Sequence, residues 1–367
     1  MSAKLTPRER VERTLRFEET DRVPLYDLLK NDAAFAHFEG EPLPPLSDDE
    51  QTVSILRKIS GRAVGKVLDM TRGVGFGPVL EADTTDKFGF VLHSAPFEKT
   101  SWIVQRPFDD VTGASDFLKK WIGRMRDETK AIQSDSPAYR DRYHANFAET
   151  QGLIGDTVNL LAQHGTGLDD VRHRLGFELF SYLWADDPGL ISEALEARTE
   201  RNIAECHAIA DRSLSPVVLT FGDIAYKQRL LHSPEFLRAE FFPRLVRINS
   251  AWHEHGLKCL FHSDGNLMEV LHDLVESGCD GLNPIETVAG MDLGVLRSRY
   301  KDSLFLAGGI DMSQLLSRGT PAEVRQVCRK AIKDSYPGYF MGSTTEADNS
   351  CRLENLLAMY EVAMEGV

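Results

Sequence analysis

From Pro216 onward the chain repeats one pattern: a short apolar run, a polar or glycine stop, then a stretch with helical periodicity. Pro216–Phe221 stops at Gly222-Asp223, and Lys258–Phe261 stops at His262-Ser263-Asp264-Gly265. Gly281-Leu282 leads into Asn283-Pro284, Leu304–Ala307 into Gly308-Gly309, and the run from Gly338 ends at Gly342. Apolar runs of this length, bounded by turn residues and separated by helices, read as parallel strands with crossover helices. Polar residues gathered at the C-terminal ends of successive strands describe the mouth of a β/α barrel, where sites of that fold are built.

Helix starts are marked independently. Thr6-Pro7-Arg8-Glu9 and Thr320-Pro321-Ala322-Glu323 each place Thr before Pro with Glu three residues on, the capping-box arrangement. Ser233-Pro234 opens a long amphipathic helix expected to run through His255 and stop at Gly256. Earlier in the chain, Arg22–Asp27 reads as a first strand, Ser47–Asp69 as a helix and Gly152–Leu161 as a strand. Between Val79 and Val104 alternation and aromatic residues replace helical periodicity, so a β-hairpin insertion is expected there. The expected architecture is a (β/α)8 TIM barrel forming a single domain over residues 1–367, with a doubly wound open sheet as the competing arrangement. No GxGxxG follows a strand, and Gly73-Val74-Gly75-Phe76-Gly77 has the wrong spacing for a nucleotide loop.

Composition narrows the partners. With 367 residues, 42% of them apolar and 27% charged, the chain has the make-up of a soluble globular protein. A net charge of −14 argues against a nucleic-acid surface. No apolar run approaches the roughly 20 residues of a membrane span, and Met1–Arg8 lacks the apolar core of a signal peptide. The 5 cysteines show no CxxC spacing, and an odd count without a secretion signal suggests reduced thiols in the cytoplasm.

The most chemically loaded stretch is Lys258–Asn266. Residues i and i+2 of an extended chain face the same way, so His262 and Asp264 converge on one ligand. They can hold a divalent metal, with Glu286 or Glu346 as a third ligand and an open position left for catalysis; otherwise they hydrogen-bond substrate or each other without metal. Asp223 is a general base or substrate anchor, or else the cap of the next helix. Asp27, Arg72, Tyr226, Asn283 and Asp311 are candidate substrate contacts. The bland alternatives are a surface ion pair for Arg72, turn stabilisation for Asn283 and the same division for Glu286 and Asp311. Phe241-Phe242 reads as core, His253 and His255 as helix-end residues, and His164 as a residue that can line the cleft.

These segments together resemble the uroporphyrinogen decarboxylase superfamily, and within it the methyltransferase-like branch. The resemblance runs along nearly the whole chain: Thr6–Val11 through Asp21–Pro24, Gly222–Lys227, Ser233-Pro234-Glu235, His262–Asn266, Gly281–Pro284, Gly308–Asp311, Gly319–Val324 and Glu354-Asn355. It implies a β/α barrel with a cleft at the strand ends. It also implies one of two activities. Decarboxylases of the superfamily hold porphyrin carboxylates with an arginine-rich N-terminal motif and need no cofactor. Methyltransferases of the other branch move methyl groups between small substrates, thiols and corrinoid proteins, and their zinc-dependent members use a His-x-Cys pair and a later cysteine.

This chain departs from both patterns. After Pro24 it reads Leu25–Asp32, without the arginine cluster, so a substrate with many carboxylates lacks the fixed cations it needs. Asp264 stands where the first thiolate would be, and Ser343-Thr344-Thr345-Glu346 occupies the region of the second. The expectation is a methyltransferase moving a methyl group from a small methylated substrate to a corrinoid protein or related acceptor, assisted by a divalent metal such as zinc. A decarboxylase of a porphyrin or smaller carboxylate is the alternative enzyme, and a catalytically silent binding protein the non-enzymatic one. Expected partners are the small-molecule substrate, a corrinoid protein and a second copy of the chain in a homodimer, with neither nucleic acid nor membrane.

Overall fold

Val217, Val218 and Leu219 are all buried, although successive residues of a strand point to opposite faces. A strand covered on both sides belongs to a parallel sheet flanked by helices. That is the arrangement in the computed structural model, which describes Lys4 to Gly366. The terminal stretches included in the expected domain, Met1–Ala3 and Val367, lie outside the described residues. Six parallel strands run in the order Tyr339–Ser343, Phe305–Ile310, Gly281–Asn283, Lys258–His262, Val217–Phe221 and Gln163–Gly165.

The remaining arc is thinner. Met70–Thr71 pairs in parallel with Val158–Asn159. Tyr26 bridges to Met70, and Leu25 bridges to Met341. The Tyr26 amide donates to the Met341 carbonyl at 2.9 Å, and the Leu161 amide to the Val217 carbonyl at 3.0 Å. One two-residue ladder and single bridges therefore carry the arc where the sequence suggested full strands over Arg22–Asp27 and Gly152–Leu161. A Cβ on Gly342 would lie 1.8 Å from the Tyr26 carbonyl oxygen, so only glycine lets these two segments meet.

Inside the curve of strands, Tyr26, Met70, Leu160, Leu219, Leu260, Phe305 and Phe340 form one apolar cluster. Outside it, Leu195, Leu245, Leu274, Leu296 and Val324 seat the helices on the sheet. Burying each such side chain stabilises the fold by about 1.5–3 kcal/mol relative to exposure. Phe241 and Phe242 are in the outer core, as their pattern suggested.

Several expectations are corrected. Gly152 lies within the helix Ser136–Ile154, and the chain turns at Gly155 (φ 61°), so only Val158–Asn159 remains of the strand expected over Gly152–Leu161. The excursion after Val79 is a three-stranded antiparallel meander, Ala82–Thr85, Val91–Ala95 and Thr100–Gln105, where one hairpin was expected. The long helix from Pro234 is interrupted: Leu237–Phe241 widens to a π-turn, with the Phe242 amide bonded to the Leu237 carbonyl. Pro243 sits immediately beyond and has no amide hydrogen to continue the regular ladder. Among the described residues, no helix is long and apolar enough to cross a membrane.

Candidate active site at the strand ends

His262 is the last residue of its strand, paired in register with Phe221 on one side and Asn283 on the other. This register places the ends of three neighbouring strands at one level. Asp223, His262 and Asp264 each offer a ligand atom, and these atoms all lie within 4.8 Å of one another. His262 is buried, Asp264 half-buried and Asp223 exposed, so the cluster opens outward through Asp223.

Each member is held from another element. The Nδ1 of His262 lies 2.7 Å from Oδ1 of Asn283, an acceptor, so Nδ1 carries the proton and Nε2 keeps its lone pair. Burial, reinforced by the charge of Arg72, holds the imidazole below its ordinary pKa. The ring is therefore neutral at pH 7, the form that binds a metal. Asp264 Oδ1 accepts from the Thr345 hydroxyl at 2.7 Å. Thr345 has φ 74°, a left-handed conformation that a β-branched residue rarely adopts. Strain of this kind gathers at functional sites. Gly265, at φ 86°, turns the chain directly after Asp264, and any Cβ there would strike the Tyr226 backbone at 2.6 Å.

Asp223 is gripped at both ends of its own backbone. Its amide donates to Asp169 Oδ2 at 3.0 Å, and its carbonyl accepts from Arg172 Nη1 at 2.7 Å. Asp169 and Arg172 are themselves paired. Burial, with Asp223 as a nearby like charge, pushes the Asp169 carboxyl up to about 6 against the opposing pull of Arg172. Neither residue was singled out from the sequence. Both lie in the helix Leu168–Leu175, where Asp-Asp in a first turn and Arg in a last turn are ordinary helix composition. The signal was there only as Asp169 four residues after the strand Gln163–Gly165.

The other sequence candidates are distributed differently. Glu286 accepts the Gly265 amide at 2.9 Å, and Glu346 pairs with Lys30 at 2.7 Å, so Asp223 supplies the cluster's third donor in place of either. Asp27 is no free substrate anchor. It is buried, and its carboxylate accepts from the Ser343 amide, the Ser343 hydroxyl and the Leu28 amide. Asp311 is spent as a helix cap, accepting from the amides of Ser313, Gln314 and Leu315. Tyr226 is exposed in a small hairpin, its hydroxyl against Arg229. Asn283 does reach the cluster, through His262. Arg72, 12% exposed, lies near enough for its charge to act on His262. His164 does not line the cleft: its Nε2 meets Glu205 at 2.8 Å in the packing between strand and helix. His253 is tied to Asp280 at 2.7 Å and His255 to His207 at 3.1 Å.

A curved parallel sheet with outer helices and a polar cluster at its strand ends is the frame of a β/α enzyme. The family model described as uroporphyrinogen decarboxylase (URO-D) matches residues 175–366, and the chain belongs to that family. Among solved structures it is similar to a methyltransferase from Methanosarcina mazei, with a TM-score of 0.66 at 16% sequence identity over 98% of each chain. That likeness shows a shared fold. No curated protein matches the chain by sequence.

Proposed function

We propose that this protein is a methyltransferase of the uroporphyrinogen decarboxylase family, taking a methyl group from a small methylated substrate and passing it to a corrinoid protein or related acceptor. The single observation that carries this reading is the Asp223–His262–Asp264 cluster. One neutral imidazole nitrogen and two carboxylates, with one side exposed, form a donor set suited to zinc or another divalent ion with an open position. When bound, such an ion would polarise a substrate oxygen or lower the pKa of its proton. The chain's own residues do the rest. Asn283 fixes the imidazole tautomer, Thr345 orients Asp264, and Asp169 with Arg172 fixes the backbone that carries Asp223. The likeness to a methyltransferase adds support, and we take residues 1–367 as one (β/α)8 domain whose bridged arc completes the ring.

Decarboxylation of a polycarboxylate fits less well. The arginines near the N-terminus are committed to structural duties: Arg10 and Arg22 pair with buried Asp69, and Arg8 donates to the carbonyls of Arg212, Ser213 and Leu214.

The test is metal content of the purified protein, measured by elemental analysis beside His262→Ala and Asp264→Ala. About one equivalent of a divalent ion, lost in both variants, supports the reading and leads to assay of methylated substrates with a reduced corrinoid acceptor. No metal after reconstitution removes its basis.

A further inference from the structure

Tyr26 and Asp27 are neighbours on one short extended segment, so their side chains take opposite faces. Asp27 turns outward to Ser343. Tyr26 turns inward, into the cluster formed by Met70, Leu160, Leu219, Leu260 and Phe340. It is 3% exposed, and among the described residues its hydroxyl has no hydrogen-bond partner. Buried hydroxyls almost always find one, because an unpaired polar group away from water is costly.

Arg72 lies two residues beyond Met70 and faces the same lumen. Its guanidinium carries five N–H donors, yet its contacts are long: 3.4 Å to the Thr345 carbonyl and 3.7 Å to the Glu346 carboxylate. Glu346 already has a closer partner in Lys30, at 2.7 Å. Tyr26 bridges to Met70, two residues before Arg72, and the Thr345 whose carbonyl Arg72 reaches donates its hydroxyl to Asp264, so Arg72 stands between Tyr26 and the cluster. An unpartnered phenol and a guanidinium held only by long contacts thus stand together, beside an imidazole whose free nitrogen faces the cluster.

We propose that Tyr26 and Arg72 form an anchor for a carboxylate group of the substrate, on the lumen side of the Asp223–His262–Asp264 cluster. The proposal rests on that cluster being the reaction centre. A planar carboxylate offers two oxygens, one for the guanidinium fork and one for the phenol. Charge points the same way. Two aspartates, one divalent ion and one guanidinium sum to a single positive charge, which one carboxylate neutralises. Since the Tyr26 hydroxyl has no protein partner, its removal costs the free protein no hydrogen bond, unlike the removal of a structural phenol.

The test is calorimetric titration of the full chain, reconstituted with zinc, using acetate and benzoate as probes. Acetamide, benzamide and inorganic phosphate serve as comparisons, and the variants are Tyr26→Phe, Arg72→Lys and Arg72→Leu. At least one carboxylate is expected to bind while its amide does not. Tyr26→Phe and Arg72→Leu should each weaken binding about tenfold or more, with Arg72→Lys between. The zinc content of all three variants should equal that of the wild type, and the melting temperature of Tyr26→Phe should not fall. The proposal is overturned if neither carboxylate binds, if phosphate binds in their place, or if the variants bind as the wild type does. A wild type that takes up no zinc would overturn the reaction centre and with it the charge balance behind the anchor, whereas zinc uptake without carboxylate binding would overturn the anchor alone.

Discussion

Asn283→Ala separates a metal-orienting role from a packing role. Asn283 is 2% exposed, and its Oδ1 accepts the His262 Nδ1 proton at 2.7 Å, while its amide nitrogen reaches the Ala307 carbonyl only at 3.4 Å. Truncation leaves the imidazole N–H buried without an acceptor, at a cost of about 1–3 kcal/mol. The ring can escape this cost by moving its proton to Nε2, but that blocks the lone pair facing Asp223 and Asp264. Loss of such a partner typically weakens metal affinity about 10- to 100-fold, or about 1.4–2.8 kcal/mol of binding free energy. Asn283→Asp keeps an acceptor at the same place and adds charge that raises imidazole basicity, so its affinity should equal or exceed that of the wild type. Competition for zinc against a chromophoric chelator measures both variants, with urea unfolding as the stability control. Wild-type affinity in Asn283→Ala, together with loss of metal in His262→Ala, would refute the tautomer argument.

Three further outcomes are expected. Arg10 is 1% exposed and bridges Asp21 at 2.7 Å and Asp69 at 2.5 Å, with Asp69 fully buried; Arg10→Met should lower the unfolding free energy in urea by about 3 kcal/mol, and a loss below about 1 kcal/mol would contradict the pairing. His232 is held by burial and by Arg172 down to about 4, below the ordinary imidazole value of 6.5. As pH falls from 6.5 towards 4 the unfolded chain takes up a proton that the folded ring refuses, so stability drops, by about 2 kcal/mol for this half-buried ring. His232→Phe should flatten that slope in urea unfolding across the same window, and an unchanged slope would assign it to other groups. Thr345→Gly removes the strain at φ 74° along with the hydroxyl that orients Asp264; stability should hold or rise by up to about 1 kcal/mol, while zinc affinity in the same chelator assay falls about tenfold. A variant that is less stable yet binds zinc normally would show Thr345 to be structural.

The strand ends were legible because a parallel strand is apolar on both faces and must stop where a polar side chain first reaches water. That logic found His262, Asp264 and Asp223 together, since three strands in register end at one level. It failed at Asp27, where the strand is so short that no alternation fixes which of two neighbours faces inward. The inward residue is Tyr26, and a one-residue change of parity moves a carboxylate out and a phenol in. It failed at Asp311 as well, because a carboxylate after a strand can equally cap the next helix, and three amides there take it.

The partners that hold the site were the least legible, for a reason rooted in topology. His262 is held by Asn283 from the next strand, Asp264 by Thr345 from beyond the last strand of the sheet, and Asp223 by Asp169 and Arg172 from a helix some fifty residues earlier. Each contact joins the ends of separate βα units, so no local pattern encodes it, and only the register of the sheet brings the pair together. The same fact gives the site its rigidity. A side chain fixed by its own loop moves when the loop moves, whereas these are cross-braced between elements whose relative positions are set by backbone ladders and buried core. The exception is Thr345, whose left-handed backbone lies in the loop after Ser343 and whose neighbour Glu346 is pulled by both Lys30 and Arg72. Of the supports around the cluster it is the one with stored strain, and therefore the one whose displacement on ligand binding would cost least. Spectroscopic labels on this loop should move when a carboxylate reaches Arg72, while labels beside Asn283 stay still; equal movement at both places would mean that the cross-bracing does not hold the site.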